Sequence, residues 1–220
     1  MGLGSDVKGK MAKRVAKEVK EGMIVNLGIG IPSLVPNYIP SNFSVTFHAE
    51  NGIIGVGAAP KAGCEDENLC NAGGYPVTLD VGGSYCDSST AFAMIRRGKI
   101  DLTVLGALQV SEQGDLANWI IPGKKVPGIG GATELATKAK KVLIVMTHVD
   151  KKGNSKLVKD CTFPLTAEKC VSKVITDRAV FSFHNNHLIL EEIFHPWTLQ
   201  NIKEATEAQF AINSSLSFIS

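Results

Sequence analysis

Short apolar segments typical of strands alternate with helical segments along this chain, and several of these strands end in glycine-rich loops. The runs Met23 to Leu27, Ser44 to His48, Ile100 to Leu105 and Lys141 to Met146 are rich in β-branched or apolar residues and predict strands. Strands that alternate with helices favour a parallel sheet covered by helices. The pattern therefore predicts an α/β fold with an open, largely parallel sheet and flanking helices.

The helical segments are marked by apolar periodicity, caps and glycine stops. Val7, Met11, Val15 and Val19 recur at every fourth position and predict a first helix between Ser5-Asp6 and Gly22. The other predicted helices are one beginning near Pro32, Ser88 to Arg97, Ala132 to Lys140, and Thr198 to about Phe210.

The last third of the chain contains the closely spaced apolar runs VSKVIT, RAVFSF and HLILEE. This spacing predicts a small mixed or antiparallel β region near the C-terminus. No repeat or linker interrupts the 220 residues, so we expect a single domain over residues 1–220. The tail Ser214 to Ser220 follows no pattern that assigns it.

Composition excludes several classes of protein. A net charge of +2 without a basic cluster argues against nucleic-acid binding. No signal peptide and no run of about 18 apolar residues is visible, so we expect no membrane association. The five cysteines are scattered and the five histidines lack metal-ligand spacing, which predicts no metal site and a reducing cytoplasm.

Three loops are predicted at carboxyl ends of strands or openings of helices, where open parallel sheets bind ligands. They are GIGIP (28–32), ENG (50–52) and GIGGA (128–132). GIGIP is a poor dinucleotide fingerprint, because Ser33 stands where a glycine is needed and Pro32 disturbs the turn. It is either a tight turn or a loop whose N–H groups, with Asn26, face a ligand. The paired glycines of GIGGA open a helix and can turn backbone N–H groups towards an anion.

Glu50 stands among small and apolar residues in the stretch HAENGIIGVG. It can be a solvated loop acid, a general base or a covalent nucleophile. We expect strand alternation to place His48 on the opposite face, which weakens the general-base interpretation. The apolar residues 51–57 favour a nucleophile, because they would keep water away. Without any family resemblance, the residues slightly favour the interpretation of Glu50 as a solvated loop acid.

A second carboxylate pair lies in SEQGDLANW, residues 111–119. Glu112 and Asp115 could form an acid/base pair. The alternative is a structural loop or pocket wall held by its own hydrogen bonds, which we favour because Asp, Asn and Gly stabilise such loops.

The motifs VNLGIGIPSLV, HAENGIIGVG, NAGGYPVT, SEQGDLANWIIPGK and PGIGGATELA follow one another in an order and spacing similar to those of family I coenzyme A transferases. Across nearly its whole length the chain resembles the B (β) subunit of acetate/acetoacetate and succinyl/3-oxoacid CoA-transferases. This resemblance implies that Glu50 forms the covalent intermediate. It also implies that Asn26 lines the active site and that Gly131 and Ala132 offer backbone N–H groups to the reacting thioester.

The resemblance extends to substrate, partner and neighbouring residues. It implies coenzyme A as a substrate without a permanently bound cofactor, and an A (α) subunit in a hetero-oligomer, A2B2 or larger. The residues expected to contact substrate or CoA also include Gly28, Gly30 and Asn51. Glu112 and Asn118 become possible residues of the pocket wall.

One position departs from the family pattern. Succinate-using members carry N-A-G-K, whereas this chain has Gly74 in place of the lysine. As the donor we therefore expect an acyl-CoA whose acyl chain is neutral or has another polar tail more than we expect succinyl-CoA.

Three other functions fit parts of this pattern. A sugar-phosphate isomerase would need more hydroxyl residues after the glycines than Ser33 supplies. A binding module without chemistry would lack Glu50. An acyl-CoA hydrolase using the same glutamate stays open, since it differs only by admitting water.

Overall fold

A long mixed sheet dominates the computed structural model, which describes residues 4–40, 42–123, 126 and 128–220. Two of the motifs above include residues outside these ranges, Lys124 and Pro127. In the described part of the chain, ten strands form this sheet: β1 Ile24–Leu27, β2 Thr46–Ala49, β3 Ile53–Val56, β4 Leu79–Tyr85, β5 Leu102–Leu105, β8 Val142–Val145, β10 Lys173–Ile175, β11 Ala179–His184, β12 His187–Phe194 and β13 Ala211–Ile219. Their order across the sheet is β13-β12-β11-β10-β8-β5-β1-β2-β3-β4. Three short strands form a second sheet: β6 Gln109–Ser111, β7 Leu116–Ala117 and β9 Leu157–Val158.

The centre of the main sheet is parallel, which confirms the predicted fold class. Strands β2, β1, β5, β8 and β10 run in one direction. The antiparallel strands β3 and β4 extend one edge, while β11 and β12 extend the other and β13 lies parallel to β12. The predicted mixed region near the C-terminus is thus present, but it continues the main sheet because β10 pairs directly with β8.

Helices cover both faces of the sheet. They are α1 Ser5–Ala16, a 3-10 helix at Pro32–Tyr38, α2 Ser88–Arg96, α3 Ala132–Lys138 and α4 Leu199–Ala205. Along β8, Leu143 and Val145 pack into the cluster that contains α1, whereas Val142 and Ile144 pack into the cluster that contains residues of α2, α3 and α4. This alternation is the period of two expected for a strand buried on both faces.

Two predicted helices are shorter than the sequence pattern indicated. The first ends at Ala16, well before Gly22, because the N–H groups of residues 18 and 19 bond three residues back and Gly22 donates to the Ser44 carbonyl. The last ends at Ala205 because Thr206 turns in to contact a buried histidine, His148.

The helix beginning at Pro32 was predicted, and it is a 3-10 helix with Pro36 inside it. Proline removes an N–H donor and disfavours the wider α-helical turn.

Three strands of the main sheet were not predicted from the sequence. These are β3 and β4, which follow Glu50, and β13, which contains most of the unassigned tail. None of the helices in the described ranges is long and apolar enough to cross a lipid bilayer.

Candidate active site

The carboxyl ends of β1, β2 and β5 bring the predicted site residues together. Glu50 is the first residue after β2, and the turn that contains it closes with a hydrogen bond of 3.0 Å from the Gly52 N–H to the Ala49 carbonyl. Asn26 lies on the neighbouring strand β1, in register with His48 of β2. Parallel pairing therefore points the Asn26 side chain towards the end of β2 where Glu50 stands.

The amide of Asn26 binds the carboxylate of Glu50. Asn26 is 1% exposed, and its Nδ2 donates to Glu50 Oε2 at 3.0 Å and to the His48 carbonyl at 3.2 Å. The Thr103 hydroxyl of β5 lies 3.4 Å from Asn26 Oδ1. Since Oδ1 faces a hydroxyl and Nδ2 faces a carboxylate, the amide has one favourable orientation. Glu50 itself is half-buried, so part of the residue stays accessible.

His48 lies on the same face of the sheet as Glu50, so the expectation of opposite faces is wrong. Its Nδ1 is 3.4 Å from Asn26 Nδ2, the amide nitrogen that also binds Glu50. The physical reason is the strand period of two, which puts residues 48 and 50 on one face. Burial lowers the pKa of His48, although the Ala91 carbonyl and Glu50 partly oppose that effect.

The glycine of the ENG turn is required by its backbone and by its neighbours. Gly52 has a φ of +112°, and a Cβ atom there would collide with the Cys86 carbonyl oxygen. Asn51, an expected contact of CoA, donates from its side-chain amide to the Cys70 carbonyl at 2.8 Å. These two contacts fix the turn between β2 and β3, and with it the direction of Glu50.

Gly131 lies directly beside Glu50. It is the N-cap of α3, and a Cβ atom built on it would be 3.4 Å from Glu50 Cγ and 3.3 Å from two ring atoms of Phe92. Phe92 of α2 was not predicted as a site residue, since no motif marks it. The Ala132 N–H donates to the Ile129 carbonyl at 3.2 Å. The resemblance implied that the N–H groups of Gly131 and Ala132 face the thioester. The Ala132 N–H would have to break its hydrogen bond to the Ile129 carbonyl before it could do so.

The two GIGIP glycines have different surroundings. The Gly28 N–H donates to the Val104 carbonyl at 2.8 Å, and a Cβ atom on Gly28 would lie 3.1 Å from that oxygen. Gly28 thus serves the close approach of β1 and β5. Gly30 has a φ of +89° with open space around it, and its carbonyl accepts from the Ser33 hydroxyl at 2.8 Å.

The loop that contains Gly74 rests on the GIGIP loop. A Cβ atom on Gly73 would lie 3.0 Å from Ile29 Cγ1, and Asn71 Oδ1 accepts from the N–H groups of Gly73 and Tyr75. Gly74 has a φ of +75° and no heavy atom near its missing Cβ. A residue other than glycine at this position would strain the backbone, but its Cβ atom would not clash with any neighbour.

The rival stretch SEQGDLANW is a hairpin of the small sheet. The Ser111 hydroxyl donates to Asp115 Oδ2 at 2.8 Å and accepts from the Asp115 N–H at 3.0 Å. Glu112 Oε2 accepts a hydrogen bond from the Gln209 N–H at 3.0 Å. Asn118 reaches the carbonyl of Gly106, just past the end of β5, at 3.2 Å. These polar residues thus form hydrogen bonds within the fold.

Comparison with known proteins gives the family. The sequence profile named Coenzyme A transferase matches residues 8–205. The chain belongs to the coenzyme A transferase family. It is 56% identical over 217 residues to the β subunit of a probable coenzyme A transferase of Bacillus subtilis, covering 99% of this chain and 100% of that one. It is 50% identical over 200 residues to the B subunit of a succinyl-CoA:3-ketoacid coenzyme A transferase of Helicobacter pylori, covering 91% and 96% of the two chains.

The fold of this transferase family member also resembles solved structures. It superposes on the crystal structure of an acyl-CoA transferase apoenzyme from Escherichia coli O157:H7 with a TM-score of 0.77, 18% identity and full coverage of this chain. A thioester complex of that enzyme with CoA gives a TM-score of 0.75. This chain spans less than half of that protein, 44% of its length.

A cavity of the transferase chain lies beside the GIGIP loop and strand β2. It has a volume of about 820 Å³, and its lining includes Gly30, His48, Asn71 and Tyr75. Phe47 and Ala49 alternate with His48 along β2, and Phe47 packs into the cluster that contains α1. In the described part of the chain Glu50 is not among the residues that line this cavity.

Other titratable groups are structural in their contacts. Within the described ranges no group of three or more His, Cys, Asp or Glu residues could hold a metal ion. Burial raises the pKa of Cys161 and of Cys170 to about 12, so neither is a ready nucleophile. His148 is fully buried between the hydroxyls of Thr176 and Thr206, at 3.0 Å from each.

Proposed function

We propose that this chain is the B subunit of an acyl-CoA:3-oxoacid CoA-transferase of the acetate/acetoacetate type. It would move CoA between short carboxylic acids through a glutamyl-CoA thioester on Glu50. The relatives named as parts of CoA-transferases support the reaction class. The observation that carries the assignment of Glu50 is its carboxylate, held by Asn26 at 3.0 Å and packed beside Gly131 at the ends of parallel strands.

The proposed reaction is a ping-pong exchange. A carboxylate oxygen of Glu50 attacks the donor thioester carbonyl, which forms a mixed anhydride and releases CoA thiolate. The thiolate then attacks the glutamyl carbonyl, which releases the donor acid and leaves a glutamyl-CoA thioester. The acceptor acid runs the same two steps in reverse. In the described part of the chain Oε2 has a hydrogen-bond donor and Oε1 has none, so Oε1 is the oxygen available for attack.

A carboxylate is a weak nucleophile towards a thioester, so the protein must lower the barrier. Holding the two reacting groups in contact is worth roughly 7–11 kcal/mol in favourable intramolecular cases. The Gly131 N–H, beside Glu50, would stabilise the oxyanion, a contribution of about 3–4 kcal/mol per donor in other enzymes. Coenzyme A enters as substrate, and its distant nucleotide end can supply binding energy that offsets distortion at the reacting carbonyl.

A second subunit would complete the site. Glu50 is half-buried, and exposed apolar side chains lie on the two loops beside it, with Ile29 62% and Ile129 38% exposed. Large exposed apolar groups around a reactive carboxylate support a covering partner. We propose the A subunit of the transferase for this role, in a hetero-oligomer of A2B2 or larger. Covering the loops would also exclude water, which is what separates transfer from hydrolysis.

The acid substrate is proposed from Gly74. The loop of Asn71 to Tyr75 touches the GIGIP loop but brings no cation to it through position 74. We therefore propose an acyl chain that is neutral or has a polar tail other than a carboxylate.

The test replaces Glu50 in the chain co-expressed with its A subunit. Glu50→Ala and Glu50→Gln should each abolish CoA exchange between an acyl-CoA and acetoacetate. Glu168→Ala, at an exposed glutamate, is the matched control and should keep wild-type exchange. Wild-type complex treated with acyl-CoA and then borohydride or hydroxylamine should show modification on the Glu50 peptide by mass spectrometry. Modification on Glu112, or exchange by the Glu50 variants, would refute the assignment.

A further inference from the structure

His48 is a buried histidine whose two ring nitrogens have different partners. It is 2% exposed, and its Nε2 lies 3.3 Å from the Ala91 carbonyl oxygen of α2. A carbonyl only accepts, so Nε2 carries the proton of that hydrogen bond. Burial lowers the pKa of His48 and keeps the ring neutral. In the neutral ring the other nitrogen, Nδ1, is then an acceptor.

The acceptor nitrogen of His48 faces the amide that binds Glu50. Asn26 Nδ2 has two protons: one points to Glu50 Oε2 at 3.0 Å, and the other lies between the carbonyl and the Nδ1 of His48, at 3.2 and 3.4 Å. If the amide turned over, Asn26 Oδ1 would face both the Glu50 carboxylate and the Nδ1 lone pair. Both contacts would be repulsive, so His48 disfavours the wrong orientation of the amide.

We propose that His48 is a positioning residue for the reaction of Glu50, acting through Asn26. It holds the Asn26 amide with its N–H groups towards the carboxylate, so that Oε2 stays bound and Oε1 stays available for attack. The inference rests on the proposed function of Glu50 and assigns to His48 a role that the ENG motif does not include. We expect its effect on the chemical step, since His48 is 2% exposed and contacts the Glu50 carboxylate only through Asn26.

The tests use three variants of the chain in complex with its A subunit. His48→Leu removes the acceptor, and should slow thioester formation on Glu50 and lower kcat by about 10- to 100-fold with KM within about twofold. His48→Asn places an amide oxygen near the position of Nδ1 and should recover kcat to within about fivefold of wild type. His187→Leu, at an exposed histidine of β12, is the matched control and should keep wild-type kcat.

Nitrogen-15 NMR of the histidine-labelled complex supplies a readout that does not depend on a variant. We expect His48 as the neutral tautomer with its proton on Nε2, and a proton on Nδ1 would overturn the proposal. Wild-type kcat in His48→Leu, or equal losses in His48→Leu and His48→Asn when both fold, would also overturn it. If Glu50→Ala kept full activity, the proposed function itself would fail. If Glu50 is essential and His48→Leu is unaffected, only the role of His48 fails.

Discussion

Replacing Asn26 with aspartate would put a second carboxylate against Glu50 with almost no change in shape. The Asn26 Nδ2 to Glu50 Oε2 distance is 3.0 Å, and two unit charges that far apart repel by about 5 kcal/mol at an effective dielectric constant of about 20. That energy corresponds to about 4 pKa units. Two carboxyl groups this close therefore share one proton at neutral pH, and the shared proton removes much of the negative charge that makes the Glu50 carboxylate a nucleophile.

The expected result for Asn26→Asp is a loss of at least about 100-fold in kcat/KM at pH 7, partly recovered as the pH rises towards 9. The assay is exchange of CoA between an acyl-CoA and acetoacetate, followed from pH 6 to 9 with the A subunit present. Asn213→Asp is the matched control, because Asn213 Nδ2 likewise donates to a glutamate, Glu191, at 2.6 Å, but on the terminal strand β13. An unchanged pH profile in Asn26→Asp, or the same shift in Asn213→Asp, would refute the reasoning.

Three further predictions follow from the contacts of single residues. Gly131→Ala should lower kcat by about tenfold or more without loss of thermal stability, because the added Cβ would lie 3.4 Å from Glu50 Cγ and 3.3 Å from Phe92; unchanged kcat would contradict it. Gly74→Lys should raise kcat/KM for succinyl-CoA relative to acetyl-CoA, at a strain cost of about 1–2 kcal/mol from the φ of +75°; an unchanged ratio would remove position 74 from substrate choice. Burial lowers the pKa of His148 from 6.5 to about 3, so the unfolded chain takes up its proton first as the pH falls. The free energy of unfolding should then fall below pH 6.5 by up to about 1.4 kcal/mol per pH unit on account of this group, and urea titrations should show a smaller slope in His148→Leu.

The central strands and the helix starts were predictable because their signals are local. An apolar run such as Val142 to Val145 is buried on both faces wherever it is placed in a parallel sheet, and the cap at Asp87 binds the N–H of Thr90 three residues on. The ends of α1 and α4 were not predictable in the same way. Each helix stops where a residue beyond it finds a distant partner, as Thr206 does with His148.

The strands β3, β4 and β13 lacked a local signal. Strand β4 reads LDVGGSY and is largely exposed, so no apolar alternation marks it. Strand β13 pairs with β12 across a bulge, with Asn213 reaching back to Glu191. Pairing with a neighbour distant in the chain, and not propensity, decides that these residues extend the sheet.

For the candidate site too, the sequence indicated single residues but not the contacts between them. The resemblance to CoA-transferases singled out Glu50, Asn26 and Gly131 as separate residues of an expected site. The sequence did not show that one amide joins Glu50 to His48, or that Phe92 stands behind Gly131. These are contacts between different elements, and their distances depend on the register of β1 with β2 and on the packing of α2 against α3.

The amino-acid sequence by itself determined the α/β class and the order of the central strands and helices. Those properties depend on periodicity, caps and glycine positions within a few residues of one another. Only the tertiary structure decided how the Glu50 carboxylate is held and which of its oxygens is bound. The physical reason is that a hydrogen bond of 3.0 Å between β1 and the end of β2 requires strand register, side-chain orientation and burial to agree at once.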